Sequence, residues 1–550
     1  MPASARRAIL LPVLALIAAA ALPPAAGLAA PPPPVRQCAE WEPVEGVMIR
    51  WPLGINGALV AEMSEDVLVY VIILSHQIGQ ATSTFSAYGV DLDNVRWVTA
   101  DSYSHWSRDW GPQCLFDGDG QWGIGDPWFD GYPWVPRGGR GYEDDDDTPA
   151  EFAAWLGGEN LWQPPFYLTG GNWMVDGHGR GFCTEAQPGE NDHLTEAQFR
   201  QGVLDWFGVH ALTILPNYES YGIQHVDCVA KLLDEETILV KQVAPGHGDH
   251  DAIEALCDVL AAGTSCYGNP YRIVRVDCGP FGGVGTAAYT NSLILGGKML
   301  VPVMGCEGDA PALQVIADAM PGYEVLGFAG SWYHYDALHC RTMGIFDRGM
   351  LRVDAAPPPA EIPFGPWPVR ALVDDRSEAG LDAGGCALLW RLAGEPDFTE
   401  LALVPLAAPD SFEAWIPALP PGSTVEYYVR ARDLSGREET RPVVAPGALF
   451  RARVTSYPTA ADGAPPPAVL RAWPRPFTER LRLALPAARG DAAVAIHDAR
   501  GRLVRRLVLP GGRGAWDGRD ARGRDLPAGI YLIRADDGEA RAALKVVKLR

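Results

Sequence analysis

The chain has 550 residues, 47% of them hydrophobic and 21% charged, with 61 Gly, 48 Pro and 18 Trp. That length implies three or four domains, and that much apolar material excludes a wholly disordered chain. Its 45 Lys and Arg against 68 Asp and Glu give a net charge of −23, which excludes nucleic acid as the expected partner because the phosphate backbone would repel it.

The charge is uneven. Residues 465–550 carry 18 Lys or Arg against 9 acids, net +9, so the rest of the chain carries −32. A shift of that size marks a separate C-terminal module.

In chain order, Met1–Ala30 comes first. Arg6 and Arg7 precede an apolar run, Ile9 to Ile17, that leads into Ala-rich sequence. The run is too short to span a membrane, and small residues follow it, as in a secretory signal peptide. Cleavage between Ala26 and Ala30 would leave a secreted or cell-surface protein with no membrane span in its mature form. Ten cysteines in an exported chain can pair, and Cys257 and Cys266 are close enough in sequence for a local disulfide.

Residues 35–360 alternate strand-like and helix-like segments, the pattern of an α/β body. Val67–Leu74, Thr237–Lys241 and Ser292–Leu295 read as buried strands; Asp251–Ala262 and Ala310–Met320 read as helices with apolar residues at 3–4 spacing. Ala356–Pro359 is a stiff linker. Residues 366–455 then read as short strands with turn punctuation, such as Thr424–Ala431, and suggest an immunoglobulin-like β-sandwich. A second proline linker, Ala464–Pro467, leads into another strand-rich unit over 465–550. It holds a turn at Asp498–Gly501, Trp516–Asp520 and the strand Gly529–Arg534.

The body carries the chemistry-bearing clusters. Trp106-Ser107-Arg108-Asp109-Trp110-Gly111-Pro112 sets a carboxylate among aromatics in a loop ending in Gly and Pro. His225-Val226-Asp227-Cys228 precedes a strand; if extended, it points His225 and Asp227 to the same side. Tyr289-Thr290-Asn291 opens a strand, and Leu338-His339-Cys340-Arg341-Thr342 ends the body. Taken singly, each has a bland reading. A Cys is more often a small buried hydrophobe, a His–Asp pair more often a structural hydrogen bond, and Asp109 beside Arg108 an ordinary ion pair. One Cys, one His and two Asp together are the raw material for thiol chemistry on a cationic group. Gly246–Asp251 has metal-ligand residue types but sits where a loop enters a helix, and Glu143–Asp147 reads as a solvated acidic loop. No metal is expected at either. No phosphate-binding loop or nucleotide fingerprint is present, so no cofactor is expected.

In series, these motifs resemble the bacterial peptidyl-arginine deiminase and agmatine deiminase family. The match runs through Ala39–Pro43, Val47–Pro52, Arg108–Pro112, Thr169–Gly177, His225–Cys228 and Ala337–Gly344, covering about Cys38–Ile345 in the family's order. The resemblance implies a five-fold α/β propeller of the pentein type, with the active site at its axis. The stretch from Ile496 to Ala535 with its basic tail resembles the C-terminal sorting domains of type IX secretion cargo, which implies the secretion machinery as a partner. Together with the immunoglobulin-like module, it makes the chain more similar to the exported peptidyl enzymes than to the agmatine enzymes.

The residue chemistry agrees. A guanidinium is planar, always charged, and offers a fixed fork of donors that Asp109 and Asp227 can grip from two sides. Cys340 would attack its carbon as thiolate, and His225 would protonate the departing ammonia and then deprotonate the hydrolytic water. By resemblance, Asn291 completes the catalytic set, Trp106 walls the substrate's alkyl stem, and Ile223 touches substrate. Gly222 stands where the peptidyl enzymes carry an aromatic. Arg137 and Arg140 lie where the family's exported enzymes grip the carboxylate of a C-terminal arginine, although their spacing differs. The expected function is hydrolysis of peptidyl-arginine to peptidyl-citrulline and ammonia. The alternatives are an agmatine or other small-guanidine deiminase and, from another class, a catalytically silent surface-binding scaffold.

Overall fold

A computed structural model describes residues 29–132, 142–158, 160–219, 222–281, 285–455, 470–485, 491–536 and 541–549. The Met1–Ala30 segment expected to be a signal peptide lies almost wholly outside them. The chain forms two compact units, residues 1–455 and 456–550.

The first unit begins with five sheets that repeat one plan among the described residues. An antiparallel strand pair is followed by a helix, and the chain returns as a strand parallel to the second member. Gln113–Phe116 pairs antiparallel with Trp122–Gly125, helix Tyr142–Trp155 follows, and Asn160–Trp162 returns parallel. The plan recurs at Met174–Val175, Arg180–Thr184 and Ala211–Leu215; at Ala230–Leu232, Thr237–Gln242 and Arg272–Asp277; and at Leu293–Leu295, Lys298–Val303 and Glu324–Ala329. The fifth sheet joins both ends of the body. Met343–Phe346 pairs antiparallel with Val44–Arg50, which runs parallel to Leu68–Ile73, itself parallel to Val95–Thr99.

Local sequence accounts for these pieces. Strand Leu68–Ile73 is apolar along its length because both faces are covered, and Val69, Val71 and Ile72 are fully buried. Helix His250–Ala261 buries Ile253, Leu256, Cys257 and Leu260, the 3–4 spacing of a single stripe. Helix Glu196–Phe207 starts on a capping box between Thr195 and Gln198 and stops at Gly208, whose φ of 72° is the left-handed conformation glycine tolerates.

One expectation is corrected, and one open possibility is answered. Glu143–Asp147 is no solvated loop but the start of helix Tyr142–Trp155, where negative charge suits the N-terminal dipole. Asp145 is fully buried and accepts the N–H groups of Tyr103 and Ser104, which anchors the loop leading to Trp106 and Asp109. All ten cysteines are free, so Cys257 and Cys266 form no disulfide; Cys257 instead accepts from Arg275 at 3.2 Å.

A β-sandwich completes the first unit. Leu351–Asp354, ahead of the Ala356–Pro359 run, already pairs with Trp367–Asp375, and that sheet packs on one built around Thr424–Arg432. Arg441 makes a buried ion pair with Glu235 of the body, and Arg437 grips Asp347 at 2.6 and 2.8 Å. The second unit has its own two sheets and a core around Phe477, Leu481, Ile496, Trp516 and Ile533. Among the described residues, no helix is long and apolar enough to cross a membrane.

Candidate active site

Each of the five repeated sheets is preceded by one short turn, two or three residues ahead of the first strand of its antiparallel pair. Ser107–Trp110 carries Asp109, and Gly170–Asn172 carries Gly171. Val226–Cys228, with His225 at its N-cap, carries Asp227. Asn291 lies two residues before Leu293–Leu295, and His339–Arg341 carries Cys340. Side chains from these turns, widely spaced in sequence, meet. His225 and Asp227 were expected to share a side through strand alternation; they instead flank the start of a 3-10 turn, and that turn aims both at Gly171.

Gly171 marks where they converge. A methyl group on it would meet Asp109 Oδ1 at 2.5 Å, His225 Nδ1 at 2.7 Å and Asp227 Oδ2 at 3.3 Å. Only a residue without a side chain leaves that space open. The Gly171 N–H donates to Asp109 Oδ1 at 3.0 Å and fixes one carboxylate oxygen; Tyr132 fixes the other, donating its hydroxyl to Oδ2 at 2.6 Å.

The sulfur lies beside them. Cys340 Sγ accepts from Asn291 Nδ2 at 3.1 Å and sits 3.7 Å from Asp227 Oδ2. Cys228 adds a second buried thiol, 3.4 Å from Asp227 Oδ1. One carboxylate and two sulfurs thus lie within 4.8 Å of one another.

The electrostatics are those of a buried cluster of titratable groups. Asp109, His225, Asp227, Asn291 and Cys340 are all at most 2% exposed. Burial, then the nearby Asp227 charge, pushes the Asp109 carboxyl well above the ordinary carboxylate range. Burial also pushes Asp227 up, but the hydrogen bond and charge of His339, with His225 behind them, hold it below that range. Burial lowers His225 to about 4 and raises the Cys340 thiol to about 11. The resting site therefore holds a neutral imidazole and a thiol. Nδ1 of His225 is buried without a hydrogen bond, 3.5 Å from Asp109 Oδ1.

Trp106 stands at the edge of this cluster, its ring 4.9 Å from that of Tyr132. Ile223 is buried in the main core of the body. Gly222 has a φ of 138°, and a side chain there would run into the Glu219 carboxylate. Arg137 and Arg140 lie outside the described residues. His247 and His250 of the 246–251 run face Asp249 at 3.6 Å and Asp251 at 3.0 Å respectively, as local pairs.

Tyr132, Gly171, Cys228 and the pair Glu40–His339 had been given no role from sequence. Glu40, Gly171, Cys228 and His339 lie inside the matching motifs, which gave them no individual role, and Tyr132 is signalled only by the aromatic cluster Trp128–Tyr132.

A family model described as Porphyromonas-type peptidyl-arginine deiminase matches residues 36–345. Curated relatives include a Vibrio parahaemolyticus protein provisionally named an agmatine deiminase, 25% identical over 52% of this chain and 89% of its own length. A Selenomonas ruminantium protein with the same provisional name matches at 25% over the same shares. A crystal structure provisionally named a peptidyl-arginine deiminase superposes with a TM-score of 0.50 at 19% identity, covering 57% of this chain and 99% of that one. An X-ray structure provisionally named an agmatine deiminase gives 0.50 at 22%, covering 57% and 96%. These two likenesses are of fold, the mixed α/β pentein fold.

Proposed function

The chain belongs to the Porphyromonas-type peptidyl-arginine deiminase family, a family of guanidino-group hydrolases, and on that premise we propose that it converts arginine in peptides or proteins to citrulline with release of ammonia. The observation that carries this reading is the convergence on Gly171 of Asp109, Asp227 and His225, with Cys340 beside Asp227. Among the described residues, no Lys or Arg pairs with Asp109, and a guanidinium supplies the charge it lacks. Two carboxylates match the planar fork of that group, and Cys340 reaches its central carbon.

Binding the cation offsets the anions that hold the thiol proton. Cys340 then gives its proton to His225 and forms a C–S bond at the guanidinium carbon. The tetrahedral adduct collapses as one C–N bond breaks, and His225 returns the proton to the departing ammonia. In the second half, water adds to the thiouronium carbon as His225 takes one of its protons. The C–S bond then breaks with its electron pair on sulfur, the adduct's hydroxyl proton passes to the sulfur to leave a ureido group and the free thiol, and His225 releases its proton to solvent. Cys340→Ala should abolish ammonia release with an unchanged circular-dichroism spectrum; full activity in that variant would remove the proposed nucleophile.

The five repeated sheets fit the five blades of a propeller with the five turns at its axis. The sandwich of the first unit reads as immunoglobulin-like. We read the Met1–Ala30 segment as an export signal and residues 465–550 as a sorting module for a secretion machinery. Deleting 465–550 should trap a folded, active body before the cell surface, and normal export of the truncated chain would refute the sorting role.

A second reading, deimination of agmatine, is favoured by the provisional names of the curated relatives. Comparing a peptide ending in arginine, its C-terminal amide and agmatine decides between them. If Arg137 or Arg140 clamps a carboxylate, the free acid is preferred by roughly 10–100-fold in kcat/KM. Equal rates for acid and amide point to internal arginines, and preference for agmatine overturns the peptidyl reading.

A further inference from the structure

His339 is held between two carboxylates. Its Nδ1 lies 2.8 Å from Asp227 Oδ2 and its Nε2 lies 2.7 Å from Glu40 Oε2. The ring is 3% exposed. Glu40 in turn faces Lys231 Nζ at 2.6 Å and Arg108 Nη2 at 3.9 Å, and accepts the Ile294 N–H at 2.8 Å. The three links come from residues 40, 227 and 339, the far ends and the middle of the body.

Donor and acceptor chemistry restricts what this arrangement means. A neutral imidazole has one N–H; its other nitrogen presents a lone pair. Set at hydrogen-bond distance against a carboxylate oxygen in a buried site, that lone pair would face another acceptor, an arrangement that low dielectric makes costly. Protonating a carboxylate would relieve it, but neither carboxylate favours the proton. Burial raises Glu40, yet Lys231, His339 and Arg108 bring it well below the ordinary range. On the other side, Asp227 accepts from the Cys228 thiol at Oδ1, 3.4 Å away, and faces Cys340 Sγ at 3.7 Å, contacts that suit a carboxylate rather than a carboxylic acid. Both ring nitrogens must then donate.

The geometry points to His339 as a positioning residue, an imidazolium fixed between Asp227 and Glu40 that keeps Asp227 ionised and turned toward the substrate guanidinium. The inference rests on the deiminase reading and adds to it a division of labour between the two aspartates. Two buried carboxylates facing one small space compete for a single proton. The imidazolium settles that competition: Asp227 keeps its charge, and the proton goes to Asp109. Asp227 and Glu40 face the ring directly. Lys231 and Arg108 stand behind Glu40, and Asp109, His225, Cys228 and Cys340 lie around Asp227.

The test uses the full chain with 15N-labelled histidine. The expected spectrum at pH 7 contains one His signal with both ring nitrogens protonated, absent from His339→Gln. A neutral-tautomer signal for His339 at pH 7 overturns the proposal whatever the activity. In kinetics, His339→Gln should lower kcat/KM about 10–100-fold, the cost of one charged hydrogen bond, and shift its acid limb to higher pH. A uniform loss with an unmoved limb marks a merely structural role and also overturns it. If His339→Gln does not fold, Glu40→Gln carries the test. It should weaken the doubly protonated signal at pH 7, and an unchanged signal there counts against the proposal. Failure of wild-type protein to release ammonia from any guanidine would instead sink the deiminase reading and leave the spectroscopic result standing.

Discussion

Asn291 holds Cys340 from two directions: its Nδ2–H donates to Sγ at 3.1 Å, and its Oδ1 accepts the Cys340 N–H at 3.2 Å. A sulfur met by an amide donor is set to carry negative charge, although burial, with the charges of Asp227, Asp336 and Asp109 behind it, pushes its thiol up. Asn291→Ala should therefore lower kcat/KM by about 10–100-fold, the worth of a hydrogen bond to a charged group. Alkylation of Cys340 by iodoacetamide should also slow at each pH. An unchanged alkylation rate would show that Asn291 positions substrate rather than sulfur.

Asp109 governs the acid side of the reaction. Its carboxyl is raised, so it takes up a proton above the ordinary carboxylate value of about 4, and kcat/KM should fall as pH drops below that raised value. The Tyr132 hydroxyl opposes the rise. Tyr132→Phe should move the acid limb to still higher pH and raise KM more than it lowers kcat. A limb that stays in place would mean that another group sets it.

Binding a guanidinium to this site should release the Asp109 proton. Titration calorimetry in buffers of different ionisation enthalpy measures that release, with methylguanidine as a non-peptide probe of the cation site. At a pH where the free carboxyl is protonated, the apparent enthalpy should vary with buffer; a buffer-independent enthalpy contradicts the assignment of the proton.

Gly171→Ala tests convergence directly. The added methyl would fall 2.5–2.7 Å from Asp109 Oδ1 and His225 Nδ1, so those groups must move or the substrate must. A displacement of about 1 Å in such a site costs on the order of 100-fold. We expect at least that loss in kcat/KM with secondary structure retained, and near-wild-type kinetics would place the reacting group elsewhere.

The sandwich contributes to stability through Arg441 and Glu235, both buried. Removing one partner leaves an uncompensated charge, so Arg441→Ala should cost about 3–5 kcal/mol, read as a lower Tm of the first unit's transition. Burial raises the Glu235 carboxyl, but Arg441 and His178 more than offset this and bring it to about 2. A depressed carboxyl stabilises above its unfolded value of about 4.3, and that contribution fades as pH falls toward 2. The variant should show a weaker dependence of Tm on pH over that interval, and an identical dependence would assign the effect to another pair.

Sequence by itself determined the local pieces. The apolar run Val67–Leu74 encloses the strand Leu68–Ile73, and the 3–4 spacing of Asp251–Ala262 lies one residue off the helix His250–Ala261, because burial selects residues by the period of the element they form. It also held the names of the five residues that meet, since each belongs to a short motif. What it did not determine was anything set by contact between distant segments. The Glu143–Asp147 run looked solvated because five consecutive acids have no local partner; Asp145 finds its partners in backbone N–H groups some forty residues earlier. Tyr132 reaches Asp109 across 23 positions, Asp227 reaches His339 across 112, and His339 reaches Glu40 across 299. The pairing of Met343–Phe346 with Val44–Arg50 brings the end of the body back to its start. Only that tertiary arrangement brings Asp109, His225 and Asp227 onto one glycine with Cys340 beside them, and the burial and charge contacts it imposes move their protons.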